Sequence, residues 1–382
     1  MRVAVVVRTL KIGGMERVAI SLAEAFASNG HESHLIYFKK KKKTLSPDKN
    51  VIMHHFNLDK LMYLTFIGIF WELFSRISNI FLRKSYFIFK GIFSSQIFKI
   101  KLLLLEKKYG KFDLLIIRGQ GTLEMIYTIK DPRIVAVSEN IFSYGTMNSY
   151  IKNFQIRMLY ENINLACVSN GVVQNFQELE TDENFKCKKI CKITNPIDVN
   201  YTKKLAQEYI PDLNAPYILS VGRVVPAKNI PLLIDAYAYA KKLNIKHKLV
   251  IVGSGSDMSL VQEKIKKLSL EQDVHFTGQL TNPFPWMLHA DLFVLSSKFE
   301  GLGMVLLEAM ACGTKVVSTK SRGGVIDIMK DELSDYLAEQ NTEDLGSKIV
   351  SALEEKRKID FEKHLMEFQP KTIVEQYISN FA

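Results

Sequence analysis

The chain has little cysteine, no long apolar run, no Asp-x-Asp triplet and no G-x-G-x-x-G array. Its four cysteines, Cys167, Cys187, Cys191 and Cys312, show no framework spacing. Cys187 and Cys191 lack a partner pair with metal-ligand spacing, so reduced thiols in a cytoplasmic protein are expected rather than disulfides or zinc. No stretch reaches the roughly 18 uninterrupted apolar residues of a spanning helix. The opening run, Met1 to Arg8, is too short for a signal peptide and reads as a buried strand. No His, Asp and Glu cluster carries metal spacing, so no metal site is expected. Without the glycine fingerprint, a dinucleotide cofactor is not expected either. Acids are scarce at one end. Residues 1–113 hold 20 Lys and Arg against 8 Asp and Glu, whereas the remainder holds 31 against 32. The whole formal excess of +11 therefore sits in the first third.

What is present is an alternation of strand-like and helical runs, which predicts parallel sheets covered on both faces. Expected strands are Val3–Val7, Ser33–Phe38, Leu114–Arg118, Ile134–Ser138 and Leu165–Ser169 in the first half. The second half offers Tyr217–Val221, Lys248–Val252, Val274–Thr277, Leu292–Ser296 and Lys315–Ser318. At 382 residues two domains are expected. Asn195-Pro196-Ile197-Asp198 and the polar stretch after it separate residues 1–198 from 199–369, and the last helix, about 370–382, is a candidate to pack back on the first domain.

Chemistry concentrates in Glu300-Gly301-Leu302-Gly303-Met304 and on to Glu308. A strand precedes this segment and a run of good helix formers follows. That places a glycine-bearing turn at a helix N-terminus, where unpaired N–H groups attract anions. Two carboxylates bracket the turn, as an anionic ligand rich in hydroxyls would require. Ser220-Val221-Gly222-Arg223 leads to Lys228 in one loop after a strand. An Arg fork and a Lys point charge suit a diphosphate and its stabilisation as a leaving group, with no metal needed. Gly253 closes the next strand, and Leu280 follows the one after that, where a nucleobase could lie. Near the start, Gly13-Gly14 stands between a strand and a helix, a place for close approach of ligand to backbone.

Gly13-Gly14-x-Glu16-Arg17, Asn195-Pro196-x-Asp198, Gly222-Arg223 with Lys228-Asn229, Glu300-x(7)-Glu308 and Gly323-Gly324 together resemble the large family four of retaining glycosyltransferases. The resemblance implies an α/β GT-B architecture, two Rossmann-like domains with parallel sheets facing a central cleft. It implies that Arg223 and Lys228 hold the donor diphosphate, that Glu300 contacts the transferred sugar and that Glu308 contacts the ribose. The turn Gly301, Leu302, Gly303 and Met304 would present N–H groups to sugar and phosphate, and Gly14 would let the first domain's loop approach the diphosphate. Arg17 and Asn140 fall on the acceptor side. Members often carry a His where this chain has Asn140, which can donate a hydrogen bond but cannot titrate; its backbone carbonyl remains. A front-face mechanism, with the departing phosphate oxygen taking the acceptor's proton, is expected instead.

Leu61 to Leu105 interrupts the alternation. It is dense in Phe, Ile, Leu and Tyr, carries Arg76, Arg83, Lys84, Lys90, Lys99 and Lys101, follows Lys60, and has Glu72 as its only acid. Core helices with a basic solvated face would read this way, but scarcity of acid favours an interfacial helix on an anionic membrane surface. Lys39–Lys43 adds an expected exposed basic tip. The leading expectation is a metal-independent enzyme moving a sugar from a UDP-sugar to a lipid-linked or envelope-glycan acceptor, peripheral on the inner membrane face. A nucleotide-sugar epimerase of the same architecture, or a non-catalytic membrane-peripheral nucleotide-binding protein, is the alternative. Nucleic-acid binding is not expected, because the residues between the cations are aliphatic or Phe.

Overall fold

The computed structural model describes residues 1–10, 13–40, 45–82, 85–142 and 149–382. It divides into two compact units, Met1–Pro196 with Pro370–Ala382, and Ile197–Gln369. Each is a parallel sheet, as expected for the two Rossmann-like domains of the GT-B architecture.

Unit 1 holds β1 (Arg2–Thr9), β2 (Glu32–Lys39), β3 (Val51–His55), β4 (Leu114–Arg118), β5 (Ile134–Ser138), β6 (Asn164–Cys167) and β7 (Lys189–Lys192). The sheet order is β3-β2-β1-β4-β5-β6-β7 and every pairing is parallel. Its central strands are buried on both faces, which is why they read as unbroken Val, Ile and Leu. The edge strands β3 and β7 lie outside the expected set. β3 is half-exposed Val-Ile-Met-His-His and β7 is Lys-Ile-Cys-Lys, so neither carries the buried-strand pattern. The helix Pro370–Phe381 belongs to this unit and buries Ile373, Val374 and Tyr377.

Unit 2 holds β8 (Tyr217–Val221), β9 (Lys248–Val252), β10 (Val274–Gly278), β11 (Leu292–Leu295), β12 (Phe299–Glu300), β13 (Val316–Thr319), β14 (Arg322–Gly323) and β15 (Leu337–Ala338). Six of them make a sheet in the order β10-β9-β8-β11-β13-β15, while β12 and β14 pair separately. That short ladder sets Glu300 opposite Gly323, so close that a Cβ on Gly323 would lie 1.7 Å from the Glu300 carbonyl oxygen.

The helix α1 (Gly14–Ser28) joins β1 to β2, and α2 (Leu58–Tyr63), α3 (Phe66–Phe81) and α4 (Tyr86–Tyr109) run between β3 and β4. Thr65 caps α3 by accepting from the Gly68 N–H at 3.0 Å. The amphipathicity of α3 is inverted. Its buried residues are Gly68, Glu72 and Ser75, while Phe66 is 95% exposed, Ile80 75% and Phe81 81%. The polar face turns inward because Glu72 meets partners there. Tyr86 donates to it at 2.7 Å, Arg76 at 2.9 Å, and the Lys90 ammonium lies 3.3 Å away. Lys90 also pairs with Asp59 at 2.8 Å, and Asp59 with Lys39 at 2.7 Å.

This network corrects the reading of the basic segment. Lys90 is 3% exposed and faces no headgroup; Asp59 and Glu72 hold it inside, and while burial lowers its pKa, Asp59 and Tyr86 outweigh that and raise it. Lys39 is likewise committed to Asp59, leaving Lys40 as an exposed lysine there. Arg76 remains largely exposed beyond its pair with Glu72. Arg83, Lys84 and Lys41–Lys43 lie outside the described residues.

Lys90→Met should lower stability by about 1–3 kcal/mol, because Asp59 and Glu72 lose the cation they share and keep only Lys39 on one side and Arg76 with Tyr86 on the other; denaturant unfolding of the full chain checks this. Gly323→Ala should cost at least about 2 kcal/mol, since φ is +111° there and a methyl collides with backbone. A thermal midpoint equal to wild type would show that the β12–β14 turn adapts.

Candidate active site

Parallel sheets gather their loops at the carboxyl edge, and the gap falls where strand order reverses. In unit 2 that point lies between β8 and β11. Gly222 and Arg223 leave β8 there. Ser296, Ser297 and Glu300 leave β11.

Three glycine-bearing loops stack at this edge backbone against backbone. The Gly222 N–H donates to Val252 O at 3.0 Å, Val224 N–H to Ser254 O at 3.0 Å, and Gly253 N–H to Gly278 O at 2.8 Å. A Cβ on Gly253 would stand 1.8 Å from the Gly222 carbonyl oxygen, so only glycine permits the approach. The last of these bonds sets the loop carrying half-buried Leu280 beside the β9 loop.

Within that frame Lys228 forms an ion pair with Glu300 Oε1. Ser297 donates to the same oxygen at 2.6 Å, and Ser296 donates to the Lys228 carbonyl at 2.9 Å. The structure thus brings Lys228 and Glu300 together and adds two serines that sequence reasoning passed over. Their signal was present in Ser296-Ser297, at the carboxyl end of a buried strand. Arg223 is exposed, and its guanidinium has no ion-pair partner among the described residues. It is free to bind an anion.

Gly301 and Leu302 are buried, and Gly303 adopts a left-handed conformation (φ +99°) as N-cap of the helix Met304–Ala311. No side chain caps that helix; the Leu306 N–H donates to the Gly303 carbonyl at 2.8 Å, which leaves the Met304 and Val305 N–H groups to a ligand. Glu308 is half-buried one turn along it.

The expected residues of unit 1 sit as follows. Gly13 is the extended N-cap of α1, again without a side-chain cap. Gly14 is exposed with open space where a Cβ would stand. Glu16 is buried and accepts from Thr9 Oγ at 2.9 Å, while Arg17 is half-buried. Lys11 and Ile12 lie outside the described residues. Asn140 is exposed after β5, and its carbonyl accepts from Ser138 Oγ at 3.1 Å. The Asn-Pro-x-Asp motif is structural. Asn195 accepts from buried Arg118 at 2.9 Å, and Asp198 caps the helix Val199–Ala206. Arg118 also pairs with Glu139 at 2.5 Å; burial pushes the Glu139 carboxyl up, and Arg118 opposes it.

Residues 202–369 match the family described as "Glycosyl transferases group 1". A Campylobacter jejuni protein named N-acetylgalactosamine-N,N'-diacetylbacillosaminyl-diphospho-undecaprenol 4-alpha-N-acetylgalactosaminyltransferase is 32% identical over 225 residues, 59% of this chain and 58% of that one. An uncharacterised glycosyltransferase of Haemophilus influenzae is 26% identical over 86% of this chain and 83% of its own. Among solved structures, Anabaena HepE in complex with UDP-glucose superposes with a TM-score of 0.72 at 19% identity, covering 99% of this chain and 98% of that one. At that identity the likeness speaks for the fold. Residues 202–369, which make up nearly all of unit 2, are thus similar to the group 1 glycosyl transferases.

Proposed function

We propose that the chain is a retaining, metal-independent glycosyltransferase that moves a sugar from a UDP-sugar to a lipid-linked or envelope-glycan acceptor at the cytoplasmic face of a membrane. The observation that carries this reading is the set Arg223, Lys228 and Glu300 at the switch point of unit 2. Two cations and the open N–H groups after Gly303 suit a diphosphate, and together they stabilise it as it departs. Glu300, held by Lys228 and Ser297, is placed to accept hydrogen bonds from the sugar hydroxyls rather than to attack its anomeric carbon. Glu308 is assigned to the ribose.

Retention then follows a front-face course. The bond from the anomeric carbon to the phosphate oxygen breaks, and the acceptor oxygen bonds on the same face. The acceptor's proton passes to the departing phosphate oxygen. Asn140 could orient that acceptor but not carry its proton. UDP is supported by the ligand named with HepE, and a lipid-linked acceptor by the diphospho-undecaprenol in the Campylobacter protein's name. Metal independence rests on Arg223 and Lys228, which together supply the positive charge that a bridging divalent ion would otherwise bring.

For the membrane, the supporting observation is α3. A helix that turns Glu72 and Ser75 inward and Phe66, Phe70, Ile80 and Phe81 outward gains from resting in a headgroup layer. No described helix is long and apolar enough to cross a membrane. The basic first third adds attraction to anionic lipid.

Arg223→Ala should lower transfer from UDP-sugar by at least about tenfold through lost stabilisation of the leaving group, and the wild-type rate should survive EDTA. Near-normal transfer by the variant, or loss in EDTA that magnesium restores, would overturn the assignment. Replacing Phe66, Phe70 and Phe81 by Ser should abolish flotation with anionic liposomes while leaving UDP affinity unchanged. Retained flotation would show that α3 does not lie on lipid.

A further inference from the structure

In unit 2 the loop of residues 279–281, which carries Leu280, lies at the carboxyl edge of the sheet just after β10. Its start is held at Gly278, the last residue of that strand, whose carbonyl accepts from the Gly253 N–H at 2.8 Å. Its far side leads into the short helix Phe284–Leu288, which is buried from Phe284 to Met287. That helix is itself seated by the sheet: Tyr217 Oη donates to Trp286 O at 2.8 Å, and Thr314 Oγ1 donates to Met287 O. Between loop and helix stands Asn282.

Both ends of the Asn282 amide are used. Its Oδ1 accepts from the Phe284 N–H at 3.1 Å, closing the turn that starts the helix. Its Nδ2 donates to Leu205 O at 2.8 Å and to Glu208 Oε2 at 2.7 Å. The Asn282 carbonyl accepts from Tyr209 Oη at 2.6 Å. Leu205 O also accepts from the Glu208 N–H at 3.2 Å, so Asn282 grips a turn already closed at the end of the helix Val199–Ala206. Burial does not demand these bonds. Glu208 and Tyr209 are exposed and Asn282 is half-buried, so water can satisfy their polar groups. What the bonds remove is freedom, because the loop is now held at both ends. Main-chain groups select the hydrogen-bonding edge of a planar base only when their positions are fixed before the base arrives.

We propose that Asn282 is a positioning residue for nucleobase recognition: with Glu208 and Tyr209 it clamps residues 279–281 where the base of the donor lies, and so sets which base is accepted. The assignment rests on the nucleotide-sugar reading given above. Base selectivity then depends on a contact made behind the loop, by residues that do not touch the nucleotide.

The test titrates the full chain with UDP, CDP, ADP and GDP by calorimetry, and with inorganic pyrophosphate as a ligand that has no base. Wild type should prefer one base. Asn282→Asp keeps the acceptor for the Phe284 N–H, loses both Nδ2 donations and sets a second carboxylate against Glu208. It should weaken the preferred diphosphate about tenfold, the size of one or two lost hydrogen bonds, and leave pyrophosphate affinity unchanged. Adding Glu208→Gln relieves the repulsion and supplies a donor, so the double variant should recover most of the base preference. Glu208→Ala with Tyr209→Phe, at two exposed positions, should also weaken the preferred diphosphate and serves if Asn282→Asp is unstable. Equal loss across all four diphosphates and pyrophosphate, an unchanged base preference in a folded variant, no recovery in the double variant, or equal binding of the four by wild type overturns the clamp. Binding of none of the four by wild type would instead overturn the nucleotide-sugar reading, and the clamp with it.

Discussion

Each unit depends on a reversal of strand order in its parallel sheet. From β1 the strands run outward to β3, then restart at β4 on the other side; β8 and β11 make the same break. The loops leaving the two strands at the break turn to opposite faces, so a gap remains at the carboxyl edge. In unit 2 the gap is flanked by Gly222 and Arg223 on one side and by Ser297 and Glu300 on the other. In unit 1 it is flanked by the end of β1 and by the residues after Arg118. The remaining local chemistry decorates these two gaps, and what each can bind follows from which charges were placed there.

The gap in unit 2 is kept open by backbone rather than by side chains. Gly253 lets its loop touch the Gly222 carbonyl, and Gly323 lets β14 lie on Glu300. With the loops stacked this tightly, Lys228 has little freedom except toward Glu300, and the pair holds both groups in place before any ligand arrives. Such preorganisation matters for the proposed transfer, because charge developing on a leaving group is stabilised most by groups that need not move. Arg223 stands apart from this pair, exposed and unpaired among the described residues. A cation fixed by a carboxylate and one left free make complementary contributions: the first sets geometry, the second supplies net charge.

The central strands and the glycine turns were legible in the sequence because their cause is local. A strand buried on both faces must be apolar throughout, and a loop that touches backbone must be glycine. The edge strands β3 and β7 were not legible, since half-exposed residues such as His54 and Lys189 carry no burial signal. The amphipathic segment was half legible. Composition marked Leu61–Leu105 as unusual, but the side of α3 that faces outward depends on Tyr86, 14 residues from Glu72, and on Asp59, well before Lys90 in the chain. Counting Lys90 as a surface charge was reasonable from its neighbours in sequence. Its neighbours in space put it inside.

The same lesson separates the carboxylates, whose roles follow from their partners rather than their positions. Glu16 is satisfied by Thr9, Glu72 by Tyr86, Arg76 and Lys90, and Glu139 by Arg118. Glu300 is shared between Lys228 and Ser297 and keeps an oxygen for a ligand within a cationic setting. Burial pushes the Glu124 carboxyl up, while Gln120, which donates to it at 2.9 Å, and the Arg8 guanidinium oppose that shift. Of these carboxylates Glu300 is the one held between an ammonium and a hydroxyl at the carboxyl edge of a sheet, and that setting separates a carboxylate available to a ligand from one spent on the fold.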